Sequence, residues 1–208
     1  ADSPTRLLVA CGARVLQLSR VPDVRLRPRW FSRSDGAFAG PGALAAGLAV
    51  SPFDARVLLV GYADGGVSLF HTRSDRPCWS CDLAALRPAA KGPAPAAAVL
   101  QVAWSPSRPC VFFALAADGN AFVFDLVSED QGPASVIRLG RKRDPGCFAA
   151  APPSTLGSSY PAACALGTAD GTVLVTALGA TVSVAVEDEV QLLSNYVERA
   201  RGMAAERD

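Results

Sequence analysis

The sequence is poor in the groups that covalent chemistry requires. It holds one histidine, His71, in 208 residues, and no nucleophile motif lies near it, so a histidine base has no partner to activate. Glycine is plentiful, yet no glycine-rich segment joins a strand to a helix. "GYADGG" and "GTADG" fit hairpins instead, which removes the phosphate-cradling loops. Excess charge of either sign is missing: 20 basic side chains face 19 acidic ones, for a net charge of +1. No broad field therefore draws the chain to nucleic acid or to an anionic membrane. Long apolar runs are missing as well. The longest tract, residues 37–50, is interrupted by Gly40, Pro41, Gly42 and Gly47 and is too short to cross a bilayer. The chain opens on Ala1 with no signal-like segment and reads as an internal or C-terminal piece of a longer protein.

What is present is half apolar by composition, with Gly 18 and Pro 16 set between short apolar runs. That punctuation predicts many short strands joined by turns. The six cysteines are scattered and mostly fall in those runs, where a thiol acts as a small hydrophobe; a reducing, cytosolic setting fits.

The runs repeat. "VLLVGYADGGVSLF", "VFFALAADGNAFVF" and "ACALGTADGTVLVT" place Asp64, Asp118 and Asp170 at spacings of 54 and 52 residues. Propeller repeats are about 40 to 45 residues, four strands to a blade, and the excess falls in enlarged loops at 87–98 and 138–146. Within a repeat, a first strand ends at a Ser-Pro corner (Ser51-Pro52, Ser105-Pro106), because proline cannot donate to a ladder. A second and a third strand then flank Asp-Gly, which supplies the positive φ of a two-residue hairpin. A fourth, outer strand is expected at 78–81, 136–139 and 181–186. "RLLVACGARVLQLSR" reads as two strands of an earlier blade turning at Gly12, followed by mostly loop. The expected fold is all-β: about three and a half blades over 1–186 (fragments 6–36, 43–82, 98–140 and 146–186), with a helix and tail at 187–208. In that helix Leu193, Tyr196, Val197, Ala200 and Met203 share one face.

"QVAWSPSRPCVFFALAADGNAFVFDL" resembles a WD repeat, with Phe124-Asp125 where Trp-Asp would stand. The corner Trp104, Ser105, Pro106, Pro109 and Phe112, followed by one further blade and a terminal helix, resembles the end of the propeller of dynein intermediate chains. "SPFDARVLLVGYADGGVSLF" is similar to the preceding blade of that family. The stretches "LVSEDQGPASV" and "HTRSDRPCWSCDL" look most like an intermediate chain of cytoplasmic dynein 2, the intraflagellar transport dynein. The resemblance covers roughly residues 40–200. It implies a non-catalytic WD-repeat β-propeller, without cofactor or metal, that binds the heavy-chain tail of the motor in the cytoplasm, cytoskeleton and cilium or flagellum. A second intermediate chain and light chains would be met through an N-terminal region absent from this sequence. Nucleic acid and membrane insertion are not implied.

Several residues invite sharper readings. Tyr62, Asn120 and Thr168, beside the Asp-Gly turns, are candidate partner contacts on the turn rim. Arg25, Arg27, Arg29 and Arg33 surround Trp30-Phe31 and are either solvated loop or an acidic-partner surface anchored by Trp30. Arg138, Arg141, Lys142 and Arg143 form a second such cluster. "CWSC" raises a thiol oxidoreductase or a zinc site, but alternation along a strand would send Cys78 and Cys81 to opposite faces, and four zinc ligands would have to draw on His71 and distant cysteines. A WD-repeat adaptor of another complex, such as a ubiquitin-ligase substrate receptor, is the remaining alternative.

Overall fold

A computed structural model describes residues 6–19, 28–33, 43–83, 85–86, 98–128, 132–138, 144–152 and 161–205. Both enlarged loops lie largely outside these residues, as do Arg25, Arg27, Arg141, Lys142 and Arg143.

Four antiparallel meanders follow one another along the chain. The first contains β1 (Arg6–Cys11), β2 (Arg14–Ser19) and β3 (Arg29–Ser32). The second contains β4 (Ala45–Val50), β5 (Val57–Tyr62), β6 (Gly66–His71) and β7 (Pro77–Asp82). The third contains β8 (Val99–Trp104), β9 (Val111–Ala116), β10 (Asn120–Asp125) and β11 (Ser135–Arg138). The fourth contains β12 (Pro145–Ala151), β13 (Ala163–Thr168) and β14 (Val173–Ala177). A single turn, α1 (Ala180–Ser183), and a long helix, α2 (Glu189–Ala205), close the chain.

The sheets stack face to face, and side-chain alternation explains how. On β9, Phe112, Ala114 and Ala116 join Val57, Leu59, Val67 and Leu69 of the second sheet in one core. The residues between them, Val111, Phe113 and Leu115, join Phe148, Cys164 and Leu166 of the fourth sheet in another. Val15 and Phe31 of the first sheet pack on Leu58, Val60, Tyr62 and Phe70 of the second. Both faces of the two middle sheets are thus buried, so their central strands read as continuous apolar runs rather than alternating ones. Trp79 meets Phe112 and Phe124 edge-on at 5.3 Å each, and those two rings stack at 5.1 Å. Such pairs add about 0.5–1.5 kcal/mol each beyond the area they bury.

The first strands come together: β4 packs on β8, and β8 on β12. Two glycines allow the approach. A Cβ on Gly47 would stand 3.0 Å from the Val102 backbone nitrogen, and one on Gly61 would stand 2.5 Å from Val99 Cγ1. Two side chains then bridge the sheets. Trp104 Nε1 donates to the Ala49 carbonyl at 3.2 Å. The Gln101 amide both donates to the Phe148 carbonyl and accepts its N–H, each at 2.8 Å.

The turns differ in detail from the expected two-residue Asp-Gly hairpin. Gly65 donates to the Tyr62 carbonyl, Gly119 to Ala116 and Gly171 to Thr168, and in each turn the glycine alone has positive φ. These are three-residue loops with glycine in the bulge position. The aspartate accepts the N–H two residues on: Gly66, Asn120 and Thr172, at 3.0–3.1 Å. Gly12 alone occupies a two-residue loop, at its first position with φ +62°.

Two further expectations are corrected. Residues 29–32, assigned to loop, form β3, because Phe31 is fully buried against Phe70. The outer strand expected at 181–186 is replaced by α1. Leu178 and Val182 turn inward onto the core shared by the third and fourth sheets, Ser183 Oγ donates to the Gly179 carbonyl at 3.0 Å, and the Thr181 carbonyl accepts from Arg108. A strand paired to β14 would give up these contacts.

Candidate docking surface

The sheets present two rims, one of hairpin turns and one of Ser-Pro corners. On the turn rim, Tyr62 is fully buried, so its side chain offers no surface to a partner. Burial raises its phenol pKa, and the Arg33 guanidinium lies over its ring at 4.5 Å. Arg33 in turn grips both Asp64 oxygens at 2.9 and 2.7 Å. Arg29 donates to the Thr72 carbonyl. These two arginines therefore stitch the first sheet to the second, Arg33 with little exposure and Arg29 still exposed. Thr168 is also buried, with its hydroxyl directed to Asp170 and the Thr172 carbonyl. Asn120 is half-buried and donates to Asp118 Oδ2 at 2.6 Å. Trp30, on the outer strand β3, keeps 43% of its surface exposed. The four residues fall on four different sheets.

The corner rim is built twice on one plan. Ser51 Oγ accepts the N–H groups of Phe53 and Asp54, and Ser105 Oγ those of Ser107 and Arg108, at 3.1–3.4 Å. The fourth corner residue then diverges in charge. Asp54 is held by Arg56 of its own corner, with contacts at 2.8–2.9 Å. Arg108 points its guanidinium away from its corner: Nε lies 3.1 Å from both Glu189 oxygens, and Nη1 lies 2.7 Å from Asp125 Oδ2. Glu189 also accepts the Cys110 and Val186 N–H groups at 3.1 and 2.9 Å. Burial opposes the charge on Arg108, yet the Glu189 and Asp125 carboxylates hold its pKa above the usual arginine value. Glu189, the first residue of α2, is thus the anchor that fixes the helix to the third sheet. No local signal connects positions 108 and 189. Leu193 and Val197 of α2 enter the core below it, with Tyr196 half-buried beside them.

Cys78 and Cys81 do not face opposite ways. The β6–β7 register shifts between Leu69 and Phe70, leaving Cys78 as the extra residue, and both thiols pack on the core that holds Trp79. Burial pushes both thiols up to about 11, the reverse of what a redox CxxC requires. Among the described residues, no group of three or more His, Cys, Asp or Glu could hold a metal ion. His71 is buried at the end of β6 and accepts the Arg73 N–H at Nδ1. Burial lowers its pKa, with Arg201 and Arg56 adding to the effect. No helix among the described residues is long and apolar enough to cross a membrane.

No protein-family model matches the chain. It is 34% identical over 83 residues to mouse cytoplasmic dynein 2 intermediate chain 1, a match covering 40% of this chain and 7% of that protein. It is 27% identical over 150 residues to human cytoplasmic dynein 2 intermediate chain 1, covering 72% of this chain and 13% of that protein. The chain thus spans only a small part of the length of the relatives it matches. Across that part it is a distant homologue of cytoplasmic dynein 2 intermediate chain 1.

Proposed function

We propose that this chain is part of a non-catalytic dynein intermediate chain, a propeller-type scaffold that holds the heavy-chain tail of the motor and serves retrograde intraflagellar transport in the cytoplasm and cilium. The carrying observation is the homology to cytoplasmic dynein 2 intermediate chain 1 along 72% of the chain. The face-to-face sheets support the same reading, since packed meanders leave rigid rims that bind through shape rather than chemistry. The buried Cys78 and Cys81 thiols favour a scaffold over an oxidoreductase. A second intermediate chain and the light chains complete the set of partners, met through other segments. Of the three turn-rim candidates and Trp30, Trp30 and Asn120 retain accessible surface and are the proposed heavy-chain contacts.

Immunoprecipitation of the tagged protein from ciliated cells, followed by mass spectrometry, tests this. Dynein heavy and light chains should dominate the recovered proteins. Ubiquitin-ligase subunits in their place would make the chain an adaptor of another complex and overturn the proposal. Alanine at Trp30 and Asn120 together should reduce heavy-chain recovery several-fold, and undiminished recovery would remove those two contacts.

A further inference from the structure

An open groove of about 450 Å³ runs along the corner rim where α2 begins, lined by Phe53, Ser107, Pro109, Val186, Asp188 and Val190 among others. We infer that it is a docking site for a segment of another protein that carries a bulky apolar side chain flanked by lysine or arginine.

The helix supplies part of the groove's apolar lining. Val190, Leu193 and Val197 stand at i, i+3 and i+7, a single stripe. Leu193 and Val197 are sealed in the core, but the stripe outruns the sheets, and Val190 is left 53% exposed beside Val186 at 52%. Phe53 and Pro109 come from the two neighbouring Ser-Pro corners, so the groove spans both of them. Its volume lies within the range of preformed binding clefts. Ser107 also lines the groove, with its hydroxyl turned away from solvent.

Charge selects the occupant. Asp188 lines the groove and is exposed, and Glu187, its neighbour in sequence, is exposed as well. The arginines of the two corners are already committed: Arg108 to Glu189 and Asp125, and Arg56 to Asp54. Among the described residues that line the groove, Asp188 and Glu189 are acidic and none is basic, so a basic flank is attracted where an acidic one is repelled. The inference concerns the corner rim, opposite the turn that carries Asn120, and stands whichever complex the chain serves.

Fluorescence anisotropy of the purified chain with three labelled twelve-residue peptides tests it: alternating Lys/Leu, Glu/Leu and Lys/Ser. The Lys/Leu peptide should bind at least about ten-fold more tightly than either of the others, a difference of roughly 1.4 kcal/mol. Val186→Ser with Val190→Ser should weaken it about five-fold or more. Glu187→Gln with Asp188→Asn should do the same and flatten the dependence on salt. All four positions are exposed, and asparagine tolerates the positive φ of residue 188, so unchanged melting curves confirm intact folding. Equal binding of Lys/Ser, binding indifferent to both double variants, or no binding of Lys/Leu would each overturn the inference. A concentration-dependent dimer dispersed by the serine pair would seat a second copy in the groove and overturn it as well.

Discussion

Replacing Arg108 with methionine separates a structural latch from an incidental ion pair. The Arg108 side chain is 4% exposed and Glu189 1%, with Asp125 at 19%. Arg108→Met leaves the Glu189 carboxylate buried, with only the Cys110 and Val186 N–H groups to support it. It also strips the Thr181 carbonyl of its donor. Stranding one member of a buried pair costs about 3–5 kcal/mol, most of it the penalty of the uncompensated charge. For a chain of this size each kcal/mol moves Tm by about 2–4 °C, so the expected drop is roughly 6–20 °C. Adding Glu189→Met removes the stranded charge but leaves two N–H groups without an acceptor, at about 1–3 kcal/mol each. The double variant should therefore be clearly less destabilised than the sum of the singles, with a coupling of about 1–3 kcal/mol. Urea and thermal denaturation of the four proteins in the cycle measure it. A single variant melting within about 2 °C of the parent, or strictly additive costs, would refute the claim that this cluster fastens α1 and α2 to the third sheet.

Other positions probe the stacking and the buried histidine. Gly61→Ala would press a Cβ to 2.5 Å from Val99 Cγ1 and 2.9 Å from Val102 Cγ1; overpacking of this kind lowers stability by about 1–3 kcal/mol in urea titration. Gln101→Leu keeps the bulk but removes both bonds to Phe148, and should cost roughly 1–3 kcal/mol. The His71 pKa is depressed in the folded state, so the unfolded chain binds that proton first. Its contribution to stability is complete above about pH 6.5 and declines as pH falls toward the folded value. As the sole histidine, it can be followed by proton NMR without assignment, and a midpoint at or above 6.5 would contradict its burial.

The hairpins and their repeat could be read from the sequence because turn chemistry is local: Asp-Gly and Ser-Pro act within four residues. Features set by distant partners could not. Residues 181–186 have the β-branched content of a strand, but Thr181 meets Arg108, more than seventy positions earlier, and residues 180–183 form a helical turn. Arg29 and Arg33 look like a basic patch until Thr72 and Asp64 of the next sheet are set beside them. Tyr62 sits next to a turn, where exposure is the natural expectation, yet stacking covers it with the first sheet. The single bulge at Cys78 reverses the facing predicted from strict alternation. Gln101 gave no signal at all, since its two bonds to Phe148 exist only once the third and fourth sheets meet.

The most direct measurement is a cryo-electron microscopy map of the protein bound to a dynein 2 heavy-chain tail. The account predicts the four meanders stacked side by side, with their first strands adjacent and a rim seated on the heavy chain. Sheets separated from one another, or a heavy chain bound with none of these residues in contact, would contradict it.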